Sequence, residues 1–222
     1  LGVRAYETIE ARLLRTYSYA TNAEGIDPGS VRDITRCCRV SQADTNGLGV
    51  EIRGEGADAG RTACVLAAFT LFTPDVFAPH LIEFERSVLR QYADVALAGA
   101  CKDEWGFPGR SPPRLDDFYY SAAMARAYGR RRPGRDLGRD LLLLFRAHAG
   151  WEAARAAAIN HYMEMNWQRN AEVENAYYRS IKQVFGPHAM SATHPTWYPD
   201  PGTREEVFKN GLHWWASRRD LA

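Results

Sequence analysis

Two apolar runs separated by a helical pattern constrain the fold of this chain most strongly. Arg61–Phe72 (RTACVLAAFTLF) and Val95–Cys101 (VALAGAC) are apolar at most positions rather than at alternate ones. Strands that are covered on both faces carry such continuous runs, which are typical of parallel sheets. The two runs therefore predict two buried strands of one parallel sheet.

The segment between these runs has the pattern of a helix. Thr73 is a suitable N-cap, and Pro74 suits the first helical position. Apolar residues then recur at helical spacing, at Phe77, Leu81, Phe84, Val88 and Tyr92. We therefore expect a right-handed βαβ crossover over residues 61–101.

The rest of the chain continues the alternation of strands and helices. Gly2–Tyr6 and Ala189–Pro199 read as further strands, and another begins near residue 219. The Asn46-Gly47 turn predicts a small antiparallel hairpin within about residues 37–60. Residues from about 114 to 185 are mostly helical, and one apolar stripe of that segment comprises Ile159, Met163, Trp167, Val173, Tyr177, Ile181 and Val184. Asn166 and Asn170 interrupt this stripe with amides.

This alternation predicts an α/β fold. We expect a partial (β/α)8 barrel of the TIM type, with a small β-hairpin excursion and a long helical insertion. Such a barrel needs about 250 residues, so residues 1–222 are expected to form a single incomplete catalytic barrel domain. The lack of an initiator Met and the apolar run at Leu1 also suggest an internal fragment. An open doubly wound sheet is the structural alternative, although neither of its usual phosphate-binding motifs is present.

Composition excludes several partner classes. The net charge is +1, from 28 basic and 27 acidic residues, so we expect neither a nucleic acid nor a membrane as partner. No apolar run reaches the roughly 18 residues that a transmembrane helix needs. The spacing of the cysteines predicts neither a zinc framework nor a disulfide scaffold, and free thiols favour a cytoplasmic location; they are Cys37, Cys38, Cys64 and Cys101.

Polar and aromatic residues follow the predicted strands. In a barrel the active site lies at the carboxyl ends of the strands. Glu7 follows the first strand, and Lys102-Asp103-Glu104-Trp105 follows Val95–Cys101. His194 and Trp197 end the strand near residue 191. Aromatic rings that stack on sugar rings, together with carboxylates that bind hydroxyls, are typical of a carbohydrate site.

Glu104 is the predicted catalytic residue. A carboxyl group beside an indole in a partly apolar setting has a raised pKa and can protonate a glycosidic oxygen at neutral pH. Asp103 would orient Glu104 or bind a sugar hydroxyl. A glycosidase needs a second carboxylate, roughly 5–5.5 Å away for retention or roughly 6.5–9.5 Å away for inversion. The structural alternative is that Asp103 and Glu104 cap the following turn and pair with Lys102.

Two further segments carry candidate residues. Tyr119 or Tyr120, in the segment Asp116–Tyr120 of a loop expected to overhang the site, is a candidate wall of a sugar subsite, and simple packing is the structural alternative. In the segment His161–Asn170, Asn166 is a candidate for binding substrate. The predicted substrate-binding set is therefore Glu7, Trp105, Tyr119, Asn166, His194 and Trp197.

The segment TPDVFAPHLIEFERSVLRQYAD, followed by LAGACKDEWGFP, resembles the pattern of barrel glycoside hydrolases related to the α-L-rhamnosidases. The pair Asp103-Glu104 also resembles the Asn-Glu of clan A glycosidases such as the β-galactosidases, with Asp in place of Asn. The resemblance covers residues 61–108 best. It implies that Glu104 is the acid/base, that a nucleophilic Glu lies beyond Ala222, and that no cofactor is needed.

Two other functions fit the same residues. The first is a metal-dependent sugar isomerase or hydrolase. Its divalent metal would be Mg²⁺, Mn²⁺ or Zn²⁺, and its ligands could include Glu7, Asp103 or Glu104, His161 with Glu164 one helical turn later, and His194. The second is a non-catalytic carbohydrate-binding barrel. All three functions predict a carbohydrate partner, and none predicts an oligomeric state.

Overall fold

The structure, a computed structural model, describes residues 8–22, 25–44, 47–54, 60–71, 75–102, 118–145 and 152–193. The chain divides into two compact units. The first comprises Leu1–Thr73 and Gly134–Ala158, and the second comprises Pro74–Pro133 and Ile159–Ala222.

The first unit consists mainly of antiparallel β-structure. Its strands are β1 (Thr8–Tyr19), β2 (Thr21–Asn22), β3 (Gly25–Ile26), β4 (Arg32–Asp33), β5 (Cys38–Asp44), β6 (Gly47–Ile52) and β7 (Thr62–Leu71). β4, β1 and β7 form a three-stranded sheet in that order, and β2 pairs with β3. β5 and β6 form the antiparallel hairpin that the Asn46-Gly47 turn predicts.

The second unit combines helices with one parallel strand pair. Its elements are α1 (Leu81–Arg90), β8 (Gly99–Lys102), α2 (Ala122–Arg131), most of α4 (Glu152–Phe185) and β9 (Met190–Thr193). The remaining helix, α3 (Leu137–Phe145), belongs to the first unit. β8 pairs with β9 in parallel, from Gly99 opposite Met190 to Lys102 opposite Thr193. No helix in the described part of the chain has the length and apolarity needed to cross a membrane.

The predicted barrel is wrong. The sheets formed by the described residues have two or three strands, and none of them closes. These strands do not form the alternative doubly wound sheet either. The described chain is a mixed α/β structure in which only β8 and β9 are parallel.

The error begins at the apolar run Arg61–Phe72. It forms β7 as predicted, but β7 pairs antiparallel with β1, so that Tyr19 lies opposite Thr62 and Thr8 lies opposite Leu71. The predicted βαβ crossover is therefore absent, because β7 and β8 belong to different sheets. Only one face of this strand is well covered, since Leu66 is buried whereas its neighbour Val65 is 37% exposed.

The helices agree better with the sequence pattern. The helix predicted after β7 is confirmed as α1, but it begins at Leu81 and not at Pro74. Its predicted apolar stripe is wrong in part, because Phe84, Val88 and Tyr92 are exposed. α4 is confirmed as one long helix of 34 residues. Of its predicted apolar stripe, six residues are buried: Ile159, Met163, Trp167, Val173, Tyr177 and Ile181.

β8 and β9 approach each other so closely that residue 99 has no room for a side chain. Gly99 has φ 154°. A Cβ atom there would lie 1.9 Å from the carbonyl oxygen of Met190 and 2.6 Å from its nitrogen. Real Cβ atoms do not come this close to backbone atoms, so one strand would have to move.

We predict that Gly99→Ala lowers the free energy of unfolding by about 3 kcal/mol, because the added methyl group separates β8 from β9. Urea unfolding measures this change. Gly129→Ala in α2 is the matched control, because its Cβ atom would meet nothing within 4 Å. Alanine is the better helix former by about 0.5–1 kcal/mol, so the control should gain stability. Equal stabilities of the two variants would contradict the close approach.

Candidate functional site

The carboxyl ends of β8 and β9 lie at the same edge of their sheet. Lys102 and Thr193 are the last paired residues, and Asp103 and His194 follow them in the chain. The predicted site residues outside the described residues are Glu7, Asp103, Glu104, Trp105, His194 and Trp197. The described residues that bear on the site are therefore Lys102 and its neighbours, Tyr119 and Asn166.

Lys102 makes a buried ion pair with α1. Its Nζ atom donates to Oε1 of Glu85 at 3.1 Å, and each side chain is 12% exposed. The same Nζ atom lies 4.4 Å from the ring centroid of Tyr177 in α4, within the range of a cation–π interaction. The last residue of β8 is thus held by both helices.

Burial favours the neutral form of both members of this pair. It raises the pKa of Glu85 and lowers the pKa of Lys102, and the ion pair opposes both changes. Glu174 of α4, which is 1% exposed, adds a second negative charge that acts on both groups. Burial also raises the pKa of Tyr177 to about 12, with a smaller contribution from Glu85.

The spacing of residues on the two helices explains this arrangement. Leu81, Glu85 and Leu89 follow one another at intervals of four on α1, so the carboxylate lies on the face that buries both leucines. On α4, Asn170, Glu174 and Tyr177 share one face in the same way. The sequence analysis did not predict that Glu85 and Glu174 are buried beside Lys102. The signal that could have indicated this is a carboxylate on an otherwise apolar helix face.

Asn166, predicted to bind substrate, lies in the interior of the second unit. It is 0% exposed, and neither atom of its amide has a hydrogen-bond partner among the described residues. One turn later, Nδ2 of Asn170 donates to Oε1 of Glu174 at 3.4 Å. α4 therefore carries a row of buried polar groups that continues towards the Lys102 pair.

Tyr119, predicted to wall a sugar subsite, uses its hydroxyl group within the protein. Its Oη atom donates to Oδ1 of Asp75 at 2.6 Å and accepts from the nitrogen of Val76 at 3.2 Å. Its ring stacks on Phe77 with a centroid distance of 6.4 Å, and its carbonyl group accepts from Tyr162. Burial and Asp75 raise the pKa of Tyr119 well above its usual range.

The metal ligands proposed on α4 do not form a set with other described residues. Glu164 makes an ion pair with Arg132 and accepts from Nε2 of Gln168 at 3.1 Å. The described ranges contain no group of three or more His, Cys, Asp or Glu side chains placed to hold a metal ion. The guanidinium group of Arg132 supplies the positive charge that a metal would bring to Glu164.

Fold and site together define a mixed α/β protein with a charged cluster at the carboxyl end of a parallel strand pair. The chain matches no known family model, no curated protein and no solved structure. The functional assignment therefore depends on the residues themselves.

We predict strong coupling between Lys102 and Glu85. Lys102→Met or Glu85→Gln alone should lower the free energy of unfolding by about 3–5 kcal/mol, because each removes the hydrogen-bonded counter-charge of a buried group. The double variant should lose much less. Urea unfolding of the four proteins gives the coupling directly.

The matched control is Glu83→Gln, on the same helix. Glu83 is 58% exposed and pairs with Arg86 and Arg90, so its loss should change stability by less than about 1 kcal/mol. Additive effects of Lys102→Met and Glu85→Gln would contradict the buried pair.

The stability of the protein should be lowest between the acidic range, in which Glu85 is neutral, and the alkaline range, in which Lys102 is neutral. The raised pKa of Glu85 adds stability below its ordinary value of 4.5, and that stability is lost as the pH rises through the folded pKa. The lowered pKa of Lys102 adds stability above its ordinary value of 10.5, and that stability is lost as the pH falls through the folded pKa. Relative to the double variant, the wild-type protein should therefore be least stable at a pH between these two ordinary values. Urea unfolding at a series of pH values measures this difference in stability. A maximum of the wild-type stability in this range would contradict the desolvation of the pair.

Proposed function

We propose that this protein is a glycoside hydrolase in which Glu104 is the general acid/base. The observation that carries the proposal is the parallel register of β8 and β9, which sets Lys102 opposite Thr193. Asp103 and His194 are the next residues in the chain after this pair. The proposal is that residues from these two parts of the chain act together at this edge of the sheet.

The residue types in this region suit the hydrolysis of a glycoside. A protonated Glu104 would donate its proton to the leaving oxygen, and general acid catalysis of this kind contributes about 10²–10⁴ in rate. Asp103 would orient Glu104 or bind a sugar hydroxyl. A second carboxylate acts as the nucleophile or as the base that activates water.

Among the predicted substrate contacts, Trp105 and Trp197 would stack on sugar rings and His194 would bind a hydroxyl group. Glu7 belongs to the first unit and is not part of this proposal. Tyr119 and Asn166 are not part of this proposal. The hydroxyl group of Tyr119 is committed to Asp75, and Asn166 is fully buried.

We predict that Glu104→Gln lowers kcat on aryl glycosides by about 10² or more. The loss should be greater for phenyl glycosides than for dinitrophenyl glycosides, because a poor leaving group needs the proton more. Steady-state hydrolysis of a panel of sugars, with and without EDTA, measures both effects.

Glu83→Gln is the control for this experiment, since it removes an exposed carboxylate from α1. Its activity should equal that of the wild-type protein. Full activity of Glu104→Gln would refute the assignment of the acid. Loss of wild-type activity in EDTA would instead favour the metal-dependent enzyme, and sugar binding without hydrolysis would favour the carbohydrate-binding protein.

A further inference from the structure

Lysine is rare in this chain, yet a lysine is the cation of its buried ion pair. Three of the 28 basic residues are lysines, namely Lys102, Lys182 and Lys209. Arginine is better suited to a buried ion pair, because its planar guanidinium group binds a carboxylate through two hydrogen bonds and always stays charged. The pair at the end of β8 nevertheless contains Lys102. What lysine offers in such a place, and arginine does not, is an amine that can lose its proton.

The groups around the amine of Lys102 come from two helices. Its Nζ atom lies 3.1 Å from Oε1 of Glu85 on α1 and 4.4 Å from the ring centroid of Tyr177 on α4. The negative charge of Glu174, also on α4, acts on both members of the pair. Arg169 of α4 acts on Glu85, and its guanidinium group donates to backbone carbonyl groups. The amine therefore has a carboxylate within hydrogen-bond distance and an aromatic ring beside it.

Burial works against the two charges of this pair. It lowers the pKa of Lys102 and raises the pKa of Glu85, and in both cases it outweighs the opposing effect of the ion pair. Transfer of one proton from the ammonium group to the carboxylate gives a neutral amine and a neutral carboxylic acid. Both changes in pKa favour this neutral pair relative to the same groups in water. A neutral amine is a nucleophile, and a carboxylic acid within hydrogen-bond distance of it can act as a general acid.

We propose that Lys102 is a nucleophilic lysine that forms an imine with a small aldehyde or ketone, with Glu85 as the acceptor and donor of the proton. Lys102 is the last paired residue of β8, and its side chain is 12% exposed. Exposure this low favours a small carbonyl compound. Neither residue has a role in the proposed hydrolysis of glycosides, so the two proposals stand or fall separately.

The reaction balances within this cluster. Glu85 takes a proton from Nζ of Lys102, and the nitrogen lone pair adds to the carbonyl carbon. A second proton then moves from the nitrogen to the former carbonyl oxygen, which gives a carbinolamine. Glu85 returns its proton to the hydroxyl group, which leaves as water. The products are a protonated imine and one water molecule, and no oxidant or reductant is needed. The protonated imine keeps the positive charge that Glu85 and the ring of Tyr177 face.

The experiment is reductive labelling of the wild-type protein with glycolaldehyde at pH 7. Excess sodium cyanoborohydride reduces each imine to a stable secondary amine, so that imine formation limits the rate. Peptide mass spectrometry measures the rate at each lysine. An ordinary lysine, with a pKa of about 10.4, is neutral in about one molecule in 2500 at this pH. We expect Lys102 to be labelled at least about tenfold faster than Lys182, whose ammonium group donates to the carbonyl group of Ala189.

Unfolding and substitution are the controls for the labelled position. In concentrated urea the cluster is lost, so all three lysines should be labelled at similar rates. Lys102→Arg keeps the positive charge but forms no imine, so the rapidly labelled site should disappear. Lys182→Arg is the matched control and should leave the labelling of Lys102 unchanged.

The sign of the effect of Glu85→Gln tests the role of Glu85. This substitution removes a charge that holds the proton on Lys102, so it should speed labelling if Glu85 acts only as a counter-charge. Labelling should instead become slower if Glu85 donates the proton that water needs in order to leave. Glu85→Asp keeps the charge with a shorter reach, and we expect it to slow labelling as well.

Rapid labelling of Lys102 that is lost in urea supports the nucleophilic lysine. Labelling of Lys102 at or below the rate of Lys182 in the folded protein overturns the proposal and leaves a structural ion pair. A preference for Lys102 that persists in urea also overturns it, because the local sequence would then cause the reactivity. These outcomes come from the wild-type protein, so they do not depend on the folding of a variant. Faster labelling of Glu85→Gln overturns the role of Glu85 in proton transfer.

Discussion

The second unit depends on the close approach of two four-residue strands. β8 and β9 meet at Gly99, where the backbone of Met190 occupies the space of a side chain. Beside this contact, Ala100 packs on a cluster formed by Leu89 of α1, Tyr177 and Ile181 of α4, and Ala189. Lys102 is at the other end of β8, three residues from Gly99. Because the strand is so short, a change of register at one end would also displace the ion pair at the other.

α4 buries apolar and polar side chains on the same helix. Val173 and Ile181 are 0% exposed, yet Asn166 is 0% exposed and Glu174 is 1% exposed on the same helix. A buried polar group without a hydrogen bond costs about 1–3 kcal/mol, so Asn166 lowers the stability of the unit. Apolar residues in such places would give a more stable helix. Natural sequences keep such groups mainly where they serve a purpose other than stability.

The sequence predicted elements better than it predicted their partners. The stripe on α4 was predictable because seven apolar residues repeat at helical spacing from Ile159 to Val184, over about seven turns. β7 was predictable as a strand, but a continuous apolar run does not indicate the direction of its neighbour. That neighbour, β1, has its apolar residues at alternate positions up to Leu13, and the pair Leu13-Leu14 interrupts the alternation where the register shifts. Glu85 was missed because a single charged residue on an apolar face is visible only once both leucines beside it are known to be buried.

The prediction of a site at strand ends does not require a complete barrel. The prediction of a site at strand ends needs two neighbouring parallel strands, not eight, because ligands of open α/β sheets also bind outside the carboxyl ends of the strands. β8 and β9 meet that condition at Lys102 and Thr193. The barrel was the reason to expect Glu7 at the same edge, and that reason is lost with it. The proposed chemistry therefore depends on Asp103, Glu104 and the residues after Thr193, and not on Glu7.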